Sequence, residues 1–145
     1  MTRDKSQCNK PLNGLCKKIL IATLLLASSL FGDLVWLDYD IAVEEAQKSN
    51  KVVMVMLSQK GCPACEYMED IVLKDKKIEA ELAKNYLVVY TDIYTGFVED
   101  GMTYAGTPTF YFLDKEEQTL EKFSGGLNVR DFTTKLNLVR AKLQN

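Results

Sequence analysis

Residues 51–57 read Lys-Val-Val-Met-Val-Met-Leu, and this run constrains the fold more than any other feature of the chain. The six apolar residues are too few for a free-standing helix and do not alternate with polar ones. Polar Ser58 and Gln59 end the run. A strand of this kind is covered on both faces, which calls for a sheet with helices packed on either side.

The flanking sequence supplies those layers. Residues 33–38 form a short extended lead carrying Trp36. Residues 40–49 have helical spacing, with Ile41, Val43 and Ala46 near one face and Glu44, Glu45 and Lys48 near another. After Ser58 to Gly61 a helix opens close to Cys62, with Cys65, Met68 and Val72 inward. Residues 75–85 continue or restart it with Ile78, Leu82 and Ala83 inward. Residues 86–93 form a second apolar strand, 94–107 an irregular stretch, 109–113 a third strand and 119–124 an edge strand. Asn128 can cap a last helix with a Phe132, Leu136, Val139 and Leu143 stripe. The order β-α-β-α-β-loop-β-β-α predicts an α/β domain with a central mixed β-sheet flanked by helices.

Residues 19–31 are apolar or weakly polar and uncharged, and Lys17 and Lys18 stand directly before them. A basic stretch followed by 7–15 apolar residues is the export-signal pattern, and the run is shorter than the roughly 20 residues of a membrane span. The sequence therefore divides into a signal peptide or N-terminal anchor at 1–32 and a folded domain at 33–145. Both readings place the domain outside the cytoplasm, in a periplasm for a bacterial chain, where disulfides are made and managed. Residues 1–32 hold five basic residues and one acid, leaving thirteen basic and nineteen acidic residues and a net charge of −6 beyond them. An acidic domain is a poor partner for nucleic acid.

The chain has no histidine, so Ser–His and Cys–His catalysis are excluded within it. It has four cysteines, and only Cys62 and Cys65 are close together. In Cys62-Pro63-Ala64-Cys65 the first thiol lies where unpaired backbone N–H groups and the positive end of the helix dipole favour a thiolate. Cys62 is then the attacking nucleophile and Cys65, one turn further in, the resolving thiol. Pro63 suits a first turn, where its missing N–H has no partner anyway. Two other readings compete. Half a zinc site would need two further ligands, and the only other cysteines, Cys8 and Cys16, lie in the targeting segment. A purely structural disulfide would close too short a loop to restrain the unfolded chain much.

From Tyr39 to Leu143 these residues resemble the thioredoxin superfamily. The resemblance is carried by the strand, loop and Cys-x-x-Cys helix, by Gly106-Thr107-Pro108-Thr109 before a later strand, and by Gly125-Gly126 after the last strand. It implies a cis Pro108 against the active-site disulfide and a Thr107 backbone that pairs with extended substrate. It also implies substrate-binding positions at Gly61, Pro63, Ala64, Thr107, Pro108 and Gly125. No cofactor and no metal is implied.

The chain departs from the family in having Gly61 where tryptophan is common. Met56 stands in place of a buried aspartate, and Tyr90 in place of a lysine. Glu66, Glu69 and Lys60 are the nearby titratable alternatives, with Glu66 a candidate proton relay. The stretch from Trp36 to Cys65 is similar to exported thioredoxin-like proteins and soluble relatives of the electron-accepting domain of membrane thiol transporters. The expected function is a thiol–disulfide oxidoreductase that reduces disulfides in exported proteins, with a membrane thiol donor as partner. No dimerisation segment is visible, so a monomer is expected. An oxidase or isomerase, and a non-enzymatic binding module built around Pro108, Tyr94, Phe97 and Met102, are the alternatives. Tyr94, Phe97 and Met102 are expected first as core or loop anchors.

Overall fold

The computed structural model describes residues 34–144. The proposed targeting segment at 1–32, with Cys8 and Cys16, lies outside the described residues. Elements follow in the order β1 (Trp36–Leu37), α1 (Tyr39–Ser49), β2 (Val52–Ser58) and α2 (Pro63–Tyr67). A π-helical turn (Met68–Val72), α3 (Lys76–Asn85) and β3 (Tyr86–Asp92) come next. β4 (Thr109–Leu113), β5 (Thr119–Ser124) and α4 (Val129–Leu143) complete the domain. Among these residues no helix is long and apolar enough to cross a membrane.

The strands form one mixed sheet in the order β1-β3-β2-β4-β5. β2 runs parallel to β3, and β3 parallel to β1. β4 is antiparallel to both β2 and β5. Every residue of β2 is buried, as its unbroken apolar run requires. Its alternate residues serve two cores. Val52, Met54 and Met56 join Met68, Val72, Ile78, Leu82, Phe132, Leu136 and Val139 beneath α2, α3 and α4. Val53, Val55 and Leu57 join Ala42 and Ala46 of α1 on the other face.

The helical faces differ from the sequence pattern in three places. In α1 the buried residues are Ala42 and Ala46, whereas Ile41 is 49% exposed. Two small residues let the helix lie close against the sheet, and that closeness turns the bulkier Ile41 outward. Ala83 of α3 is exposed. Leu143 is exposed too, because α4 runs beyond the core after Val139. The segment after Cys65 is also not one helix. It passes into the π turn at Met68, and α3 restarts with the Asp75 carboxylate accepting from the Lys77 and Ile78 amides.

Candidate functional site

β2 and β3 run parallel and end together, with Ser58 opposite Asp92. The chain leaves β2 through Gln59, Lys60 and Gly61, the last at φ +74°, a conformation that favours glycine. It then enters α2 with Cys62 as the N-cap and Pro63 in the first turn. Cys62 Sγ accepts from the Cys65 amide at 3.2 Å, and the Cys62 carbonyl accepts from the Cys65 and Glu66 amides at 3.0 Å each. Of the donors expected at a helix start, the Cys65 amide is thus aimed at the first sulfur.

Cys62 and Cys65 are joined as a disulfide with their Cα atoms 5.2 Å apart. Cys62 keeps 7% of its surface exposed and Cys65 only 1%. This asymmetry gives an incoming sulfur access to Cys62 and not to Cys65. Among the described residues no three His, Cys, Asp or Glu side chains come together to hold a metal ion.

From the opposite side the segment ahead of β4 closes on the pair. The Thr107–Pro108 peptide bond is cis. The Thr107 hydroxyl donates to Cys62 Sγ at 3.6 Å, and the Thr107 carbonyl lies at the same distance. In the disulfide that carbonyl is a contact only, and in the dithiol it can accept the Cys62 S–H. Gly125 donates from its amide to the Pro108 carbonyl at 2.7 Å. A Cβ placed on Gly126 would stand 3.5 Å from the Ala64 carbonyl oxygen and 3.6 Å from Ala64 Cβ. The Leu127 amide donates to Met68 Sδ at 3.2 Å, fastening this loop to the π turn. Cys62, Cys65, Ala64, Thr107, Pro108 and Gly125 therefore gather at one end of the sheet. Pro63 is exposed beside them.

Glu66 lies on the outer side of α2 and is exposed. Glu69 is half-buried and accepts from the hydroxyl of fully buried Ser58 at 3.0 Å. Burial pushes the Glu69 carboxyl up, and the negative charges of Asp70 and Glu66 add to it. The Ser58 hydroxyl and Lys74 act the other way. Met56 is fully buried and Tyr90 packs edge-on against Trp36 with ring centroids 5.6 Å apart. The Ser58–Glu69 pair is thus the titratable group drawn in under this end of the sheet.

A raised carboxyl binds more protons in the folded chain than in the unfolded one. Its penalty is absent below the ordinary glutamate range and is incurred as pH rises through the raised folded value. Glu69→Gln should therefore gain stability relative to the unsubstituted chain across that window. Urea midpoints measured at a series of pH values check this, and curves that stay parallel for the two proteins would contradict it.

The 94–107 stretch is pinned at both ends. Asp92 Oδ1 accepts from the Tyr94 and Thr95 amides at 2.9 and 3.1 Å, and Asp92 Oδ2 from the Lys60 amide at 3.2 Å. The Tyr111 hydroxyl donates to the Thr103 carbonyl at 2.6 Å and accepts from the Thr103 amide at 2.7 Å. Tyr94 and Phe97 are not core anchors, being 77% and 72% exposed, because the pinned backbone holds them outward. Met102 does pack, against the α1-side core. Sequence reasoning missed the Asp92 bridge. Its signal was an aspartate at a strand end with glycine four residues later, a turn pattern.

A family model described as a thioredoxin-like domain matches residues 39–140. The chain is similar to the solution structure of a thioredoxin from Thermus thermophilus, at 25% identity and a TM-score of 0.64, covering 77% of this chain and 90% of that one. It is similar in fold to a DsbH oxidoreductase, at 18% identity and a TM-score of 0.59, covering 99% of this chain and 95% of that one. It is also similar in fold to a thioredoxin-fold protein from Helicobacter pylori, at 19% identity and a TM-score of 0.58, covering 66% and 73% respectively. No curated protein sequence matches it.

Proposed function

From the premise that this chain belongs to the thioredoxin-like domain family and is a thiol–disulfide oxidoreductase, we propose that it works in the reducing direction on exported proteins. Cys62 attacks a substrate disulfide and Cys65 resolves the mixed disulfide. A membrane thiol donor then returns the Cys62–Cys65 disulfide to the dithiol. Export rests on the basic residues and apolar run of residues 17–31.

The observation that carries the direction is the set of groups that contact Cys62 Sγ. Glu66 and Glu69 follow Cys65 by one and four residues, and the chain has no histidine. Among the described residues no basic side chain hydrogen-bonds to Cys62, whose partners are Thr107 and the Cys65 amide. A thiolate held by one amide and one hydroxyl, with no basic side chain hydrogen-bonded to it, is stabilised less than that of a strong oxidant, whose potential rests on a stabilised reduced form.

The test is an equilibrium titration of the full chain in a glutathione or dithiothreitol redox series, with the Cys62–Cys65 peptide followed by alkylation and mass spectrometry. A potential near roughly −270 mV is expected. One near roughly −120 mV would make the protein an oxidant and overturn the direction.

A further inference from the structure

Between β2 and Cys62 the chain crosses Gln59, Lys60 and Gly61 with little to hold it. Among the described residues, the Lys60 amide to Asp92 Oδ2 is the one hydrogen bond these three residues make to the rest of the fold. The other Asp92 oxygen is committed to the Tyr94 and Thr95 amides. The Asp92 carbonyl accepts from the Gly96 amide at 2.7 Å, and a Cβ on Gly96 would stand 2.9 Å from that oxygen. The turn that aims the carboxylate is therefore tight, and Gly96 is required by the close approach. The Tyr94 amide, with those of Thr95 and Lys60, holds the Asp92 carboxyl below its usual range, so it stays ionised.

We infer that Asp92 is a positioning residue for the thiol–disulfide reaction. By clamping Lys60 it fixes where Cys62 Sγ stands against the Thr107 hydroxyl, and so how well that hydroxyl stabilises the Cys62 thiolate. The clamp acts two residues from the sulfur, through the Lys60 amide rather than through either cysteine. It rests on the reading of Cys62 as the attacking nucleophile. The charge of Asp92 alone would act in the opposite sense, since a nearby carboxylate disfavours a thiolate. The two roles therefore have opposite signatures.

Asp92→Asn separates them. A carboxylate accepts on both oxygens, an amide on one. Asparagine retains the turn to Tyr94 and Thr95 and presents an N–H group to the Lys60 amide, so the clamp is lost while the turn is kept. The experiment uses the reduced full chain and follows iodoacetamide alkylation of Cys62 across pH by peptide mass spectrometry. With the clamp lost, the Cys62 inflection should move up and alkylation near neutral pH should slow by about three- to tenfold. An inflection that moves down would mark Asp92 as a bystander charge, and an unmoved one would mark it as a turn residue only; either overturns the inference.

The shift should also vanish in a Thr107→Val background, because it acts through that hydroxyl. A shift that persists there undiminished overturns the route. Should Asp92→Asn fail to fold, the unsubstituted chain still decides the matter. The Lys60 amide should exchange its hydrogen more slowly than those of Gln59 and Gly61, and equal rates would refute the clamp. A Cys62 that titrates like a free cysteine in the unsubstituted chain removes the nucleophile itself. That result sinks the functional reading and is distinguishable from failure of the clamp alone.

Discussion

Replacing Cys62 by serine will reduce disulfide-reducing turnover by about a thousandfold or more, while replacing Cys65 by serine will leave a protein that attacks once and stalls. The difference follows from access. Cys62 is the N-cap of α2 with 7% of its surface open, and Cys65 is 1% exposed behind it. In the reducing reaction proposed above, the Cys62 thiolate attacks one sulfur of the substrate disulfide. The substrate S–S bond breaks, and the departing sulfur takes up a proton. The Cys65 thiolate then attacks Cys62 Sγ, releases the second substrate thiol and closes the Cys62–Cys65 bond, so two electrons pass to the substrate. Serine at 62 removes the one cysteine sulfur that is open to a substrate among the described residues. Serine at 65 leaves the first step intact and the second without a nucleophile. The mixed disulfide should then accumulate as a discrete mass equal to protein plus substrate. Turnover of a protein disulfide and intact mass spectrometry read the two effects. Undiminished turnover in Cys62→Ser would end the assignment.

The second large effect lies in the core. Phe110 follows Pro108 by two residues on β4 and is fully buried. Its ring stacks on Phe123 of β5 with centroids 4.9 Å apart and meets Phe132 of α4 edge-on at 5.5 Å. Phe110→Ala removes both contacts and leaves a cavity under the strand that Pro108 leads, at a cost of about 3–5 kcal/mol. Domains of this kind hold roughly 5–15 kcal/mol in total, so the variant should sit near the edge of folding. Urea denaturation checks it. A loss below about 1 kcal/mol would mean the site collapses around the missing ring and that the aromatic cluster is not the keystone of this layer.

Much of this architecture could be read before any coordinates. The 51–57 run fits a doubly covered strand, and β2 is buried at every position. The cysteine spacing, the helix that follows and the Thr107-Pro108 step marked the ends that meet. Side-chain bridges between segments distant in sequence were harder to read. Asp92 reaching Lys60 is one, 32 residues apart, and Ser58 reaching Glu69 is another. Such pairs leave no periodic trace, since each partner is locally an ordinary polar residue. Faces were misjudged where size outweighed hydrophobicity. Ile41 looked like core, yet close approach of α1 to the sheet needed the smaller Ala42 there. The outward Tyr94 and Phe97 were unreadable for a related reason, because aromatic residues in an irregular stretch carry no period to say which way they point.

Gly126 and Ala64 face each other across a space that admits one more methyl group at ordinary contact distance. The two positions therefore share a single allotment of volume. A methyl group at 126 fits against Ala64 as it stands, and enlarging both positions together would overfill the space. Pro63, by contrast, is exposed. Of the two residues between the cysteines, the first faces outward, while the second faces a loop about sixty residues away. Lineages that remodel the pair should show the second position changing in concert with that glycine.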